Sequence, residues 1–162
     1  MHTTIRRLEE ADVAPVVRLS LTAWEPVFAS FEAQLGPTVY RMLFPDWRSA
    51  QARAVETTCR APDHDVWVAD ADGRPVGFVA VTEIEEDAAR AGEIVMTAVD
   101  PAVQGAGVGT ALLDHAVGEI SARGLRLAVV ATGGDPGHAP ARALYERRGF
   151  RPLPLVRYYR PL

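Results

Sequence analysis

Glu93-Ile94-Val95-Met96-Thr97-Ala98-Val99-Asp100-Pro101-Ala102-Val103-Gln104-Gly105-Ala106-Gly107-Val108-Gly109-Thr110 reads as a strand, a glycine turn and the start of a helix. Glycines let the main chain come close to a ligand. The unpaired amides of a first helical turn point outward with the positive end of the helix dipole behind them. That combination holds phosphate oxygens without a basic side chain. A Walker-type loop needs Gly-Lys before Ser or Thr, and the chain contains no Lys. A dinucleotide fingerprint would want a third glycine where Thr110 stands, and an acidic residue further on where Ala128 to Val130 lie. From the glycines alone, a purely structural strand-to-helix turn stays open.

Working outward, Thr110 to Ser121 has the apolar spacing of an amphipathic helix, and Leu125 to Thr132 is a nearly all-apolar run suited to a strand buried on both faces. Strand, helix and strand predict a right-handed crossover from Glu93–Val99 to Leu125–Thr132. A helix fits Pro140 to Arg148, and Gly149 supplies the left-handed residue usual just past a helix end. Phe150-Arg151 and Leu155 to Arg160 read as closing strands. Upstream, Val66 to Ala69 and Pro75 to Ile84 form a hairpin around Asp70-Ala71-Asp72-Gly73. Thr3 to Arg7 is a short strand and Asp12 to Trp24 a helix. Gly36-Pro37 is a break, and Thr38 to Arg60 makes two helical pieces separated near Pro45. The sum is an α/β (α+β) chain with a mixed, mostly antiparallel central sheet and helices on both faces.

At 162 residues, with 48% hydrophobic against 23% charged, the chain is expected to form one domain, 1–162, with a buried core. Its apolar runs fall short of the roughly 20 residues that span a bilayer, and no apolar segment follows the basic N-terminus. A soluble, cytoplasmic protein with no membrane partner is expected. The net charge is -4 and no basic stripe forms, which disfavours nucleic acid. Cys59, the single cysteine, reads as a packing residue.

Gln104-x-x-Gly107-x-Gly109, after the strand that ends Ala98-Val99-Asp100-Pro101, resembles the pyrophosphate-binding motif of the GNAT superfamily of N-acetyltransferases. Ala141-Arg142-Ala143-Leu144-Tyr145-Glu146-Arg147-Arg148-Gly149-Phe150 is similar to that superfamily's second signature, a helix carrying Leu-Tyr-Glu that ends at Gly-Phe. The resemblance covers Val66 to Leu162; the first 60 residues match in layout only. It implies acetyl-CoA as co-substrate, with no metal, and an amine acceptor that is a small molecule or a peptide. The cofactor would be held by Ala98, Val99, Gln104, Gly105, Ala106, Gly107, Val108, Gly109 and Thr110. His138 stands where the family often has Asn, seven residues before Tyr145, and is included as a contact.

The resemblance further implies that Glu93–Val99 splays from Leu125–Thr132, leaving amides near Ala98 and Val99 to pair with the pantetheine arm and polarise the thioester carbonyl. Tyr145 is the expected general acid toward the departing thiolate, since a phenol near pKa 10 is protonated at neutral pH. Glu93 is the first candidate for the base. Glu83 and Glu85 follow, within an acidic cluster with Glu86 and Asp87 that reads more readily as a solvated loop. Trp24, Phe28 and Phe31 are candidates for an acceptor wall, with Glu25 or Glu32 to attract its charge, although their spacing equally suits a core-facing helix. Tyr158-Tyr159 and a homodimer through Leu153 to Leu162 are further expectations. Three alternatives remain open: a non-catalytic acyl-CoA-binding regulatory module, an acyltransferase with another acyl group or a hydroxyl acceptor, and an interaction domain whose turn binds nothing.

Overall fold

The computed structural model describes residues 2–162. In chain order its elements are β1 (Thr4–Arg7), α1 (Val13–Leu43), α2 (Trp47–Arg60), β2 (Asp65–Ala71), β3 (Arg74–Glu86), β4 (Ala89–Val99), α3 (Val108–Ala122), β5 (Ala128–Val130) and α4 (Ala139–Arg147). They fall into two compact units: Met1–Ala23 with Gln51–Ala131, and Trp24–Ala50 with Thr132–Leu162.

The first unit carries a five-stranded sheet in the order β1-β2-β3-β4-β5, antiparallel except for the parallel pair β4 and β5. This is the mixed sheet that the sequence predicted. Its β2–β3 hairpin turns on Asp72 and Gly73, both at positive φ, and the Asp70 carboxylate accepts the Gly73 amide at 2.7 Å. The same carboxylate receives Arg6 Nη2 at 2.7 Å, while Arg6 Nη1 reaches the buried Asp12 at 2.6 Å, so one guanidinium fastens β1 to the hairpin. Hydrogen bonding to Arg6 holds the Asp12 carboxyl below its usual range. The stability this adds is present above about pH 4 and is lost as pH falls through the lowered value. Cys59 is buried, and burial pushes its thiol up to about 11, which leaves it unreactive near neutrality.

Val108, Leu112, Leu113, Ala116 and Ile120 form the buried face of α3 at helical spacing. Burying each Leu or Ile stabilises by roughly 1.5–3 kcal/mol. The sheet comes close to this helix at Gly92, where a Cβ would lie 2.4 to 2.8 Å from three Ile120 side-chain atoms. Gly92→Ala is therefore expected to lower stability by about 1–3 kcal/mol through overpacking, measured as a reduced urea midpoint with an unchanged slope.

Four expectations are corrected. The acidic cluster is not a loop: Glu83, Glu85 and Glu86 lie on β3, and Asp87, at φ 49, forms the turn into β4, although all four are exposed as solvated residues should be. β5 spans only Ala128–Val130 and is half-buried, with Leu127 40% exposed, so the apolar run is not a doubly covered strand. The closing strands are absent, and residues 148–162 form no regular element. Pro152 and Pro154, two apart, remove amide donors from the same edge and prevent a ladder there. Finally, the first helix does not stop near Trp24. It continues through Pro26 until Gly36 breaks it at φ 74, ψ 162, the break foreseen at Gly36-Pro37.

What extends that helix is aromatic packing inside the second unit. Phe28 is buried, stacked on Trp47 with ring centroids 4.2 Å apart, and edge-on to Phe31 and Phe44. Tyr40 closes the cluster against Phe44. No helix among the described residues is long and apolar enough to cross a membrane.

Candidate active site

Gly105 and Gly107 both adopt φ 83, the left-handed region that glycine enters without strain, and Gly107 caps α3 with no side-chain bond. The Gln104 and Ala106 amides are used within the turn, on the carbonyls of Pro101 and Val103. The amides of Gly105, Gly107, Val108, Gly109 and Thr110 have no backbone partner, because the first bond into the helix runs from Ala111 to Gly107. No acidic residue stands in the first turn of α3. Five free amides at the positive end of a helix dipole fit a pyrophosphate. Val108 is buried under Gly77, where a Cβ would come within 3.0 Å of the Ala98 carbonyl and of Leu112, so the turn rests on a close strand-helix contact.

The strand leading into this turn has an open edge. β4 pairs with β5 only from Gly92 to Ile94, opposite Ala128 to Val130, with the Gly92 amide on the Leu127 carbonyl at 2.9 Å. Above that, the β3–β4 register slips by one residue between Ala80 and Val81, leaving Val95 as the extra residue of a bulge. The Asp100 amide bonds the Val76 carbonyl at 2.8 Å, which sets the parity of the upper ladder. Residues 96, 98 and 100 face β3, so the main-chain groups of Thr97 and Val99 face the edge that β5 has left. The parity separates two neighbouring candidates: the Ala98 amide is taken by β3, while that of Val99 is free. Thr97 was not foreseen, because its orientation follows from the bulge. Gln104 Nε2 reaches the Val99 carbonyl at 3.4 Å from the turn.

Glu93 lies within the paired stretch, opposite Thr82 and Val129. Gly92 faces Ile120 of α3, so Glu93 points to the other face of the sheet.

In the second unit, Tyr145 is buried, and that burial raises its phenol above the ordinary value. Its helix ends in a Schellman motif: the Phe150 amide bonds the Tyr145 carbonyl at 3.0 Å, the Gly149 amide bonds the Glu146 carbonyl at 3.1 Å, and Gly149 has φ 89. The Tyr145 and Phe150 rings meet at 5.9 Å. The Leu-Tyr-Glu to Gly-Phe signature is thus a helix terminator that fixes the tyrosine. His138 gives its Nδ1 to the buried Asp135 carboxylate at 2.5 Å and lies against Phe31, with ring centroids 5.7 Å apart. Asp135 was not foreseen, although Gly133-Gly134-Asp135-Pro136-Gly137-His138 carried the signal. Among the predicted acceptor residues, Phe28 serves the aromatic core, while Phe31 and Trp24 are half-buried. Glu25 pairs with Arg48. Tyr158 is 91% exposed.

The chain thus combines a mixed sheet opened at its parallel edge with an amide-rich helix start. The model of the acetyltransferase (GNAT) family matches residues 28–150, and the chain belongs to that family. It is 37% identical over 94 residues to a mycothiol acetyltransferase of Beutenbergia cavernae, covering 58% of this chain and 31% of that protein. The chain spans about a third of the length of the curated relatives it matches. In fold it is similar to AAC(6')-Iy in complex with the bisubstrate analogue CoA-S-monomethyl-acetylneamine, with a TM-score of 0.68, 19% identity and coverage of 100% of this chain and 99% of that one. It is also similar to the ribosomal-protein-alanine N-acetyltransferase of Brucella melitensis biovar Abortus 2308, with a TM-score of 0.65, 20% identity and coverage of 97% and 99%.

Proposed function

We propose that this chain transfers the acetyl group of acetyl-CoA to the nitrogen of a small-molecule or peptide amine, by direct attack of the amine on the thioester. The observation that carries this reading is the continuity of the open β4 edge at Thr97 and Val99 with the five free amides of the turn. The edge would hold the pantetheine arm as a missing strand does, and the turn would hold the pyrophosphate. In the transfer, a nitrogen–carbon bond forms and the carbon–sulfur bond breaks. The Val99 amide supports the oxyanion, and Tyr145 gives its proton to the departing thiolate. Imidazole titrates closer to neutrality than a carboxylate and is the better-matched base for an amine. Glu93 is therefore assigned the attraction of the ammonium, and the proton itself is taken up below. The relatives named above support an amine acceptor, and mycothiol acetyltransferase in particular supports a small molecule.

Thiol release from acetyl-CoA, followed across a panel of amines and peptides, tests this reading. Release that depends on the amine is expected. Tight binding of acetyl-CoA with no release would favour the non-catalytic module, and release with alcohols alone would favour a hydroxyl acceptor. Glu93→Gln is expected to raise the KM for the amine about fivefold, the scale of a partly solvated ion pair, with kcat and its pH dependence unchanged. A changed pH profile would return the proton transfer to Glu93.

A further inference from the structure

The six residues from Gly133 to His138 are built around one side-chain pair. The Asp135 carboxylate, 7% exposed, accepts His138 Nδ1 on one oxygen and the Gly137 amide on the other at 3.0 Å. Ser30 Oγ accepts the same Gly137 amide at 3.0 Å. Burial would raise this carboxyl, but the bonds from His138 and Ser30 outweigh it and hold the group below its usual range. Arg142 clamps the segment from behind, with Nη1 on the carbonyls of Gly133 at 2.6 Å and Asp135 at 2.7 Å. Two glycines clear the space. A Cβ on residue 133 would lie 2.3 Å from Asp135 Oδ1 and 2.5 Å from His138 Nδ1, and one on residue 137 would lie 2.9 Å from Asp135 Oδ2.

A pair with only a packing role would have the far side of the imidazole filled. Here no protein group among the described residues bonds to Nε2, and that atom is not a buried one. The carboxylate at Nδ1 fixes the tautomer with the proton on Nδ1, which leaves the Nε2 lone pair available to a ligand. The charged partner of the ring is Asp135, while Arg142 is occupied by the carbonyl oxygens of Gly133 and Asp135. The uncharged Phe31 ring lies tilted against the imidazole at 5.7 Å between centroids and is itself stacked on Phe44. An unbonded Nε2 with a carboxylate on the opposite ring nitrogen suits proton transfer from an ammonium group.

We propose that His138 is the base that takes the proton from the acceptor ammonium, with Asp135 as its positioning residue; this rests on the acetyl transfer assigned above. One ammonium proton passes to Nε2, Asp135 stabilises the resulting imidazolium, and the freed nitrogen lone pair attacks the thioester carbon. The thiolate leaves with the Tyr145 proton, the nitrogen sheds its second proton as the amide forms and so restores the phenol, and the imidazolium returns its proton to water. This reassigns His138 from the cofactor contact that its position in the signature implied.

The test compares wild type, His138→Asn and Asp135→Asn by three readings: the pH profile of kcat/KM for the amine, the thermal shift given by acetyl-CoA, and the NMR titration of the imidazole with amine alone. His138→Asn keeps a hydrogen-bond donor but cannot take a proton. It is expected to lower kcat about 10²- to 10⁴-fold, to remove the neutral limb of the profile, and to leave the acetyl-CoA shift intact. Asp135→Asn is expected to lower kcat while leaving the KM for acetyl-CoA and its thermal shift unchanged. In the wild type, the amine should perturb the Nε2 resonance without acetyl-CoA. Free imidazole should restore part of the rate in a folded His138→Gly variant. If His138→Asn kept kcat and the limb but lost the acetyl-CoA shift, His138 would be a cofactor contact; if it changed neither, the pair would be structural. A wild-type protein that bound acetyl-CoA and acetylated no amine would overturn the transfer reading and this proposal together.

Discussion

Tyr145→Phe is expected to lower kcat about 10²- to 10⁴-fold, the usual range for one positioned proton donor, while the KM for acetyl-CoA changes little. The substitution removes one oxygen and keeps the ring against Phe150, so the helix end should persist. Burial raises the phenol above its ordinary value, so it remains protonated throughout the neutral range and is available as an acid. A group whose folded value is raised contributes stability that is complete below the unfolded value, about pH 10 for a phenol, and is lost as pH rises through the folded value. The wild type should therefore lose stability above about pH 10 more steeply than the variant. Steady-state kinetics across pH, with unfolding measured on the same samples, provide the check. Full kcat in the variant at every pH would remove Tyr145 from the chemistry.

Gly107→Val should abolish most of the stabilisation that acetyl-CoA confers. Acetyl-CoA at a hundred times its Kd should stabilise the wild type by about 2.7 kcal/mol, or roughly 5–10 °C in Tm for a chain of this size. NADH should give no such shift. Nothing lies within 4 Å of the place a Cβ would occupy on Gly107, so the effect would come from the backbone. A left-handed residue with a side chain costs about 1–2 kcal/mol, and relieving that strain turns away the amides of residues 107 to 109. Gly118→Ala is the control: it lies on α3 with open space at its Cβ, and should stabilise by about 0.5–1 kcal/mol while keeping the ligand shift. If the wild type showed no shift with acetyl-CoA, the turn would be a structural connection and the catalytic roles would fall with it.

The parts of the site that were legible in the sequence are the local ones. Gly107 as helix cap, Gly149 as terminator and the Asp72-Gly73 hairpin each depend on the φ of a few adjacent residues, and composition reports that directly. The strand ends were misjudged where pairing decides them. Leu125 to Thr132 is apolar enough for a buried strand, yet its ladder with β4 spans only Ala128 to Val130 and ends just before the bulge at Val95. Ala98 and Val99 are equivalent in sequence, and only the ladder parity set at Asp100 and Val76 distinguishes their amides. Phe28 and Phe31 share helical spacing, but Trp47 and Phe44 cover the first more fully than the second. An aspartate before proline and glycine reads as a turn residue, and Asp135 does cap that turn through the Gly137 amide; the contact the fold adds from a distant segment is Ser30 Oγ on the same amide.

By itself, then, the sequence determined the order of the elements, the glycine turn at the head of α3 and the terminator that fixes Tyr145, because each is governed by residues within a few positions of one another. The tertiary structure alone decided which main-chain groups stay unpaired on β4, how short β5 is, and that Ser30 reaches the turn at Gly137. Those outcomes depend on register and on contacts between distant segments, and no local propensity encodes them.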